Sequence, residues 1–196
     1  MNTTIDGSRV AFLVADGVEQ DDLTATWDAV ERAGGIPVVV SPERGRVQSM
    51  RGDQTRDTFA VDEQASEADA ADFVALVVPG GVMSADKLRA DAAAIAFTMA
   101  FAAQHKPVAA VCHAPWLLIE AGIAEGREVT SYPSLRTDLE NAGAIWSTSM
   151  VVVDGLVVTS RRADEQFARR LLEVIRQSKL QSASSDKVAR AGGPGG

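Results

Sequence analysis

The residues with the clearest chemical potential are adjacent. Cys112, the single cysteine of the 196-residue chain, is followed directly by His113, one of two histidines. They sit in the run Pro107-Val108-Ala109-Ala110-Val111-Cys112-His113-Ala114-Pro115-Trp116, which reads as a buried strand, a tight turn and a helix start. Ala110 and Ala114 flank the cysteine two positions away on each side, the spacing of a nucleophile elbow, where only small side chains fit around the reactive residue. A thiol there faces a helix start, whose partial positive charge favours the thiolate. A buried structural cysteine is the competing reading.

A thiol nucleophile also needs a proton carrier and an oxyanion site. His113 offers an imidazole and a backbone N–H, and Gly80-Gly81 offers a second backbone donor that a substrate can approach closely. Glu19 follows the first strand; it is either a solvated surface charge or a carboxyl near the elbow that donates a hydrogen bond to sulfur. Asp86 reads as an N-cap or first-turn residue of a short helix. His105 reads as an exposed loop residue, and Trp116 as either pocket wall or core.

The elements that must position these groups alternate in type. Strands are expected over 9–15, 36–40, 73–78 and the segment ending at Cys112, with helices over 21–33, 62–70, 90–104 and 115–122. Asp21 or Asp22 is the expected cap of the first helix. Residues 46–60 suit a hairpin outside the main sheet, 134–142 a helix, 151–158 a hairpin around Asp154-Gly155, and 164–179 an amphipathic helix. Near-continuous apolar strands alternating with helices mean an α/β fold with a mostly parallel sheet covered on both faces. Ligands on such sheets bind beyond the carboxyl ends of the strands, where Glu19, Gly80-Gly81 and Cys112 all fall. Residues 1–180 form one expected domain and 181–196 an expected flexible tail.

Hydrophobic residues make up 46% of the chain and the formal charge is −8. An acidic surface argues against direct nucleic-acid binding and against an anionic membrane as partner. The polar start of the chain lacks a signal-peptide layout, and no apolar run is long enough to span a bilayer. A lone cysteine suits a reducing cytoplasm. No metal-type ligand spacing and no cofactor motif occurs, so the expectation is no metal and no cofactor.

The ordered set Gly17-Val18-Glu19, Val78-Pro79-Gly80-Gly81 and Ala110-Val111-Cys112-His113-Ala114-Pro115 resembles the ThiJ/PfpI superfamily. Thr130-Ser131-Tyr132, Asp138-Leu139-Glu140-Asn141-Ala142-Gly143 and Val157-Val158-Thr159-Ser160-Arg161 resemble its PfpI-like branch. Arg161-Arg162-Ala163-Asp164-Glu165-Gln166-Phe167 departs from the branch's Arg-x-Pro-x-Asp-Leu-x-x-Phe pattern. The resemblance implies a flavodoxin-like three-layer sandwich related to class I glutamine amidotransferases. It implies that Cys112 is the nucleophile, that Glu19 hydrogen-bonds its sulfur, and that the N–H groups of Gly81 and His113 form the oxyanion hole. By the same resemblance Asp86 orients His113 across a subunit interface, in a homodimer or a hexamer. Three functions are compatible with these residues. One is a cysteine hydrolase of the peptidase, protein or nucleotide deglycase, or glyoxalase type, acting on a small-molecule or peptide substrate. The second is an oxidative-stress sensor whose thiol advances to sulfinic acid. The third is a protective, chaperone-like homodimer without turnover.

Overall fold

The structure is a computed structural model that describes residues 5–191, with side chains through 184. Among the described residues twelve strands and six α-helices follow one another. The strands are β1 (Arg9–Leu13), β2 (Val18–Glu19), β3 (Ile36–Ser41), β4 (Arg46–Arg51), β5 (Gln54–Ala60), β6 (Glu63–Gln64), β7 (Ala75–Val78), β8 (Val108–Val111), β9 (Glu128–Val129), β10 (Ile145–Trp146), β11 (Val151–Asp154) and β12 (Val157–Ser160). The helices are α1 (Gln20–Arg32), α2 (Val82–Ala90), α3 (Ala92–Ala103), α4 (Pro115–Glu120), α5 (Arg136–Asn141) and α6 (Glu165–Ala191).

Seven strands form the central sheet in the order β11-β12-β8-β7-β1-β3-β6. All pairs are parallel except the edge hairpin β11–β12. Alternate residues of each buried strand point to opposite faces, so one strand feeds two cores. Val10, Phe12, Val77, Ala109 and Val158 pack beneath α1 and α6, against Leu23, Val30, Phe167, Leu171 and Ile175. Ala11, Leu13, Leu76, Val78, Val108 and Ala110 pack on the other face against Leu88, Phe97, Phe101, Leu117 and Leu118 of α2, α3 and α4. Helices thus cover both faces, as a three-layer α/β sandwich requires.

The hairpin β4–β5 stands outside the main sheet, as its polar pattern suggests, and adds β2 as a parallel third strand. Four segments differ from the sequence reading. Residues 62–70 are not a helix. Asp62 exchanges bonds with Val39, its N–H donating to the Val39 carbonyl and its Oδ2 accepting from the Val39 N–H, which extends the sheet edge into β6. Only Ala70–Asp72 turns helically there, in a single 3-10 turn capped by Asp69. The helix expected over 134–142 divides into a 3-10 turn, Pro133–Leu135, and α5. Asp22 does not cap α1, whose N-cap is Glu19 without a side-chain cap bond. Finally, α6 continues to Ala191, past the expected boundary at Gln181. Its last turns contain Ser, Ala, Lys and Arg with no Gly or Pro before Gly192, so nothing in them halts propagation. Residues 192–196 of the expected tail lie outside the described residues.

Candidate active site

Three loops meet at the carboxyl ends of β1, β7 and β8. The Glu19 N–H donates to the Gly80 carbonyl at 2.8 Å, which joins the first loop to the second. A Cβ at Gly80 would lie 2.7 Å from Cys112 Cβ, so the second loop rests on the third. Gly81 has φ +113°, and a Cβ there would stand 2.3 Å from the Gly17 carbonyl and 2.7 Å from the Glu19 nitrogen. Only glycine meets both demands, which explains Gly81 at the crossing of the loops.

Cys112 occupies the left-handed region at φ +59°. A side chain with a Cβ is strained there, and such strain persists only where the surroundings enforce it. They do so on both sides: the Cys112 N–H donates to the Ser160 carbonyl and the Cys112 carbonyl accepts from Tyr132 N–H, each at 2.8 Å. The Ala114 N–H then closes a turn onto Val111 O at 2.9 Å. The thiol is thereby lifted off the strand end to meet His113 Nδ1, 3.2 Å from Sγ. Backbone N–H groups of His113 and Gly81 also hydrogen-bond the sulfur.

The electrostatics differ from the expectation of a favoured thiolate. Burial pushes the Cys112 thiol up to about 12, the negative charges of Asp22 and Glu19 add to the rise, and the two backbone N–H groups oppose it. The helix that follows the elbow starts only at Pro115 and has six residues, so its dipole is a small counterweight. His113 is buried, which holds its imidazole below the ordinary histidine value and leaves it neutral at pH 7. Its Nε2 lies 3.4 Å from Ser134 Oγ. Its ring stacks on Tyr132 with centroids 4.6 Å apart and tilts against Trp116 at 5.6 Å. Trp116 is therefore a wall of the histidine pocket, held by its Nε1–H to Asp138 at 2.7 Å.

The Glu19 carboxylate accepts from Gly52 N–H at 3.2 Å, in the β4–β5 turn, and acts on the thiol more weakly than Asp22 does. Asp22 went unrecognised as a site residue in the sequence. It is 6% exposed, accepts from Ala163 N–H at 2.8 Å and from Gly80 N–H, and is raised to about 6, chiefly by burial. Its signal was the register of α1: three positions after Glu19 at a helix start is the same face. Ser134 also went unrecognised, because its partner lies 21 residues away. Asp86 lies on the exposed side of α2, and His105 is exposed at φ +52°. Among the described residues no cluster of three or more His, Cys, Asp or Glu could hold a metal ion.

Known proteins share this arrangement of chain and fold. Residues 8–174 match the model of the DJ-1/PfpI family. The chain is 38% identical over 160 residues to General stress protein 18 of Bacillus subtilis (strain 168), covering 81% of this chain and 91% of that one. It is 34% identical over 170 residues to Protein/nucleic acid deglycase 2 of Escherichia coli (strain K12), covering 85% and 97%. A crystal structure of a two-domain protein with DJ-1/ThiJ/PfpI-like and ferritin-like domains, from Anabaena variabilis, superposes with a TM-score of 0.79 at 32% identity. That match covers 85% of this chain and 47% of the two-domain chain. With 167 consecutive residues matched and the parallel sandwich in place, the chain belongs to the DJ-1/PfpI family.

Proposed function

We propose that this protein is a PfpI-type cysteine hydrolase of stress protection, with Cys112 as nucleophile and glycated proteins or nucleotides as its substrate class. The observation that carries the reading is the strained elbow: Cys112 at φ +59° presents Sγ to a neutral imidazole 3.2 Å away and to two backbone donors. Relatives named as deglycases and as a general stress protein support the reaction class and the setting.

A thiol near 12 is about one part in 10⁵ thiolate at pH 7. The proton therefore leaves as the sulfur–carbon bond forms, passing to His113 Nδ1 by general-base catalysis. The N–H groups of Gly81 and His113 stabilise the oxyanion that develops on the attacked carbonyl. His113 returns the proton to the departing amine. From an amide this leaves an acyl group on sulfur. From a methylglyoxal aminocarbinol it leaves a hemithioacetal, whose carbon-bound proton moves to the neighbouring carbonyl carbon to give the thioester without an external oxidant. Water then hydrolyses the thioester. The same high value counts against the sensor reading, since oxidation proceeds through the thiolate. We further propose a cytoplasmic homodimer, in which Asp86 of a second copy supports His113 alongside Ser134.

The test is release of amine from methylglyoxal adducts, together with cleavage of small peptides, by wild type and Cys112→Ala. Loss of adduct turnover in the variant, to the uncatalysed level, is expected; equal rates would overturn the assignment.

A further inference from the structure

The strand that anchors the elbow also delivers a cation. Ser160, whose carbonyl holds the Cys112 N–H, is followed by Arg161, whose own N–H donates to Met150 O at 3.0 Å. The Arg161 Nε is buried and has no hydrogen-bond partner among the described residues. Its guanidinium carbon stands 5.4 Å from the Trp146 ring centre. Trp146 is itself fixed, donating Nε1–H to Ser131 Oγ at 3.0 Å. Ser131 precedes Tyr132, the residue that stacks on His113 and bonds the Cys112 carbonyl. Arg161 is thus tied to the nucleophile from two directions, through the β12 backbone and through the aromatic wall.

Its neighbours are already matched. Arg136, 5.5 Å from the same ring, pairs with Glu140 at 2.9 Å, and Arg162 pairs with Asp164 at 3.5 Å. No ion pair is recorded for Arg161 among the described residues, in a chain with 27 acidic and 19 basic side chains. An unmade buried donor costs about 1–3 kcal/mol, so a folded protein that keeps one beside its site has a use for it. A planar guanidinium seated 5.4 Å from an aromatic ring centre presents a fork of donors that matches the two oxygens of a carboxylate. A phosphate generally recruits further donors, and Arg136 is committed to Glu140.

The charged groups acting on the Cys112 thiol are Asp22 and Glu19, both negative. A substrate anion close to sulfur is therefore repelled, whereas Arg161, joined to the elbow through Ser160 and through Trp146, offers an anion a cation that has no ion pair among the described residues. On the assignment of Cys112 made above, we propose that Arg161, seated against Trp146, binds a carboxylate that the substrate carries away from the carbon under attack. The substrate class becomes adducts of amino acids with a free carboxylate, including chain-terminal residues, in preference to their amides.

The experiment uses labelling of the full-length protein rather than turnover. Cys112 is the only cysteine, so the rates of its modification by 3-maleimidopropionate and by neutral N-ethylmaleimide give a ratio free of other sites. That ratio is expected to be about tenfold higher in wild type than in Arg161→Met, the effect of one charge-assisted bond. Arg161→Lys, which keeps the charge and loses the fork, is expected in between. Thermal melts confirm that each variant is folded before its ratio is read. An equal ratio in wild type and Arg161→Met overturns the proposal. So does an unchanged ratio accompanied by a shift to monomer in sedimentation, which would assign the guanidinium to a carboxylate of a second copy. The ratio stands whether or not Cys112 hydrolyses adducts, so failure of the hydrolase reading shows separately in the turnover assay.

Discussion

After burial, the charge on Asp22 weighs most against loss of the Cys112 proton. Replacing it by Asn removes the largest electrostatic contribution opposing the thiolate while keeping an oxygen for Ala163 N–H. Asp22→Asn is expected to speed alkylation of Cys112 by iodoacetamide at pH 8, about tenfold for each unit the thiol falls. The same substitution reports on stability. An acid raised on folding from 3.8 to about 6 favours the folded state below its unfolded value and loses that contribution as pH rises through 6. The gap is worth roughly 3 kcal/mol, so the melting temperature of Asp22→Asn should gain on wild type between pH 4 and pH 7. A constant difference across that range would overturn this account of the buried carboxyl. Ser134 acts on the other partner of the thiol. For Nδ1 to take the thiol proton the neutral imidazole carries its own proton on Nε2, so the Ser134 hydroxyl accepts from Nε2–H both before and after the transfer and holds the ring in the basic tautomer. Ser134→Ala is expected to lower kcat about fivefold with KM unchanged, the size of one neutral hydrogen bond. A change confined to KM would show that Ser134 contacts substrate instead.

The elements explain why these side chains meet. Parallel strands β1, β7 and β8 end at one edge of the sheet, and each is followed by a tight turn into the next layer. The Gly80-Gly81 turn is the wedge between the other two loops. Gly81→Ala would set a methyl group against the Gly17 carbonyl and the Glu19 nitrogen, two backbone atoms that cannot swing aside. The expected cost is about 2–4 kcal/mol, read as a lower midpoint in urea. Displacement of the Gly81 N–H from sulfur should lower kcat as well. Retention of wild-type stability would mean that the loops are less tightly crossed. The β4–β5 hairpin, outside the main sheet, reaches the same edge: Gly52 N–H meets Glu19, and Arg51 pairs with Asp21. Its alternating polar pattern was legible as a hairpin, but a turn of Gly and Asp carries no mark of what it will cover.

At the scale of the whole molecule, the face around the site carries Val82, Met83 and Tyr132, each about half exposed, beside Asp86 on α2. The proposed second copy would bring Asp86 to the partner's elbow. Mixing Cys112→Ala with Asp86→Asn tests this. Each variant alone should be inactive or impaired, and random pairing should restore about a quarter of wild-type activity, because one site in each mixed dimer has an intact cysteine and an intact aspartate. No recovery from two impaired variants would place Asp86 outside the site.

Much of this was legible in the sequence because it is local. Ala-Val-Cys-His-Ala-Pro encodes strand, turn and helix within six residues, and the apolar strands at helix-sized intervals encode a parallel sheet with two covered faces. The order of the strands, which sets β1, β7 and β8 side by side, came from the tertiary structure. What required the tertiary structure was everything set by distance through space. Asp22 reads as one more acid at a helix start until Gly80 and Ala163, the latter 141 residues away, close over it. Ser134 meets His113 only once the chain has turned back through Tyr132. The proton affinity of Cys112 is the sharpest case. Its position at an elbow is written in its neighbours, but burial and two folded-in carboxylates decide the charge it carries.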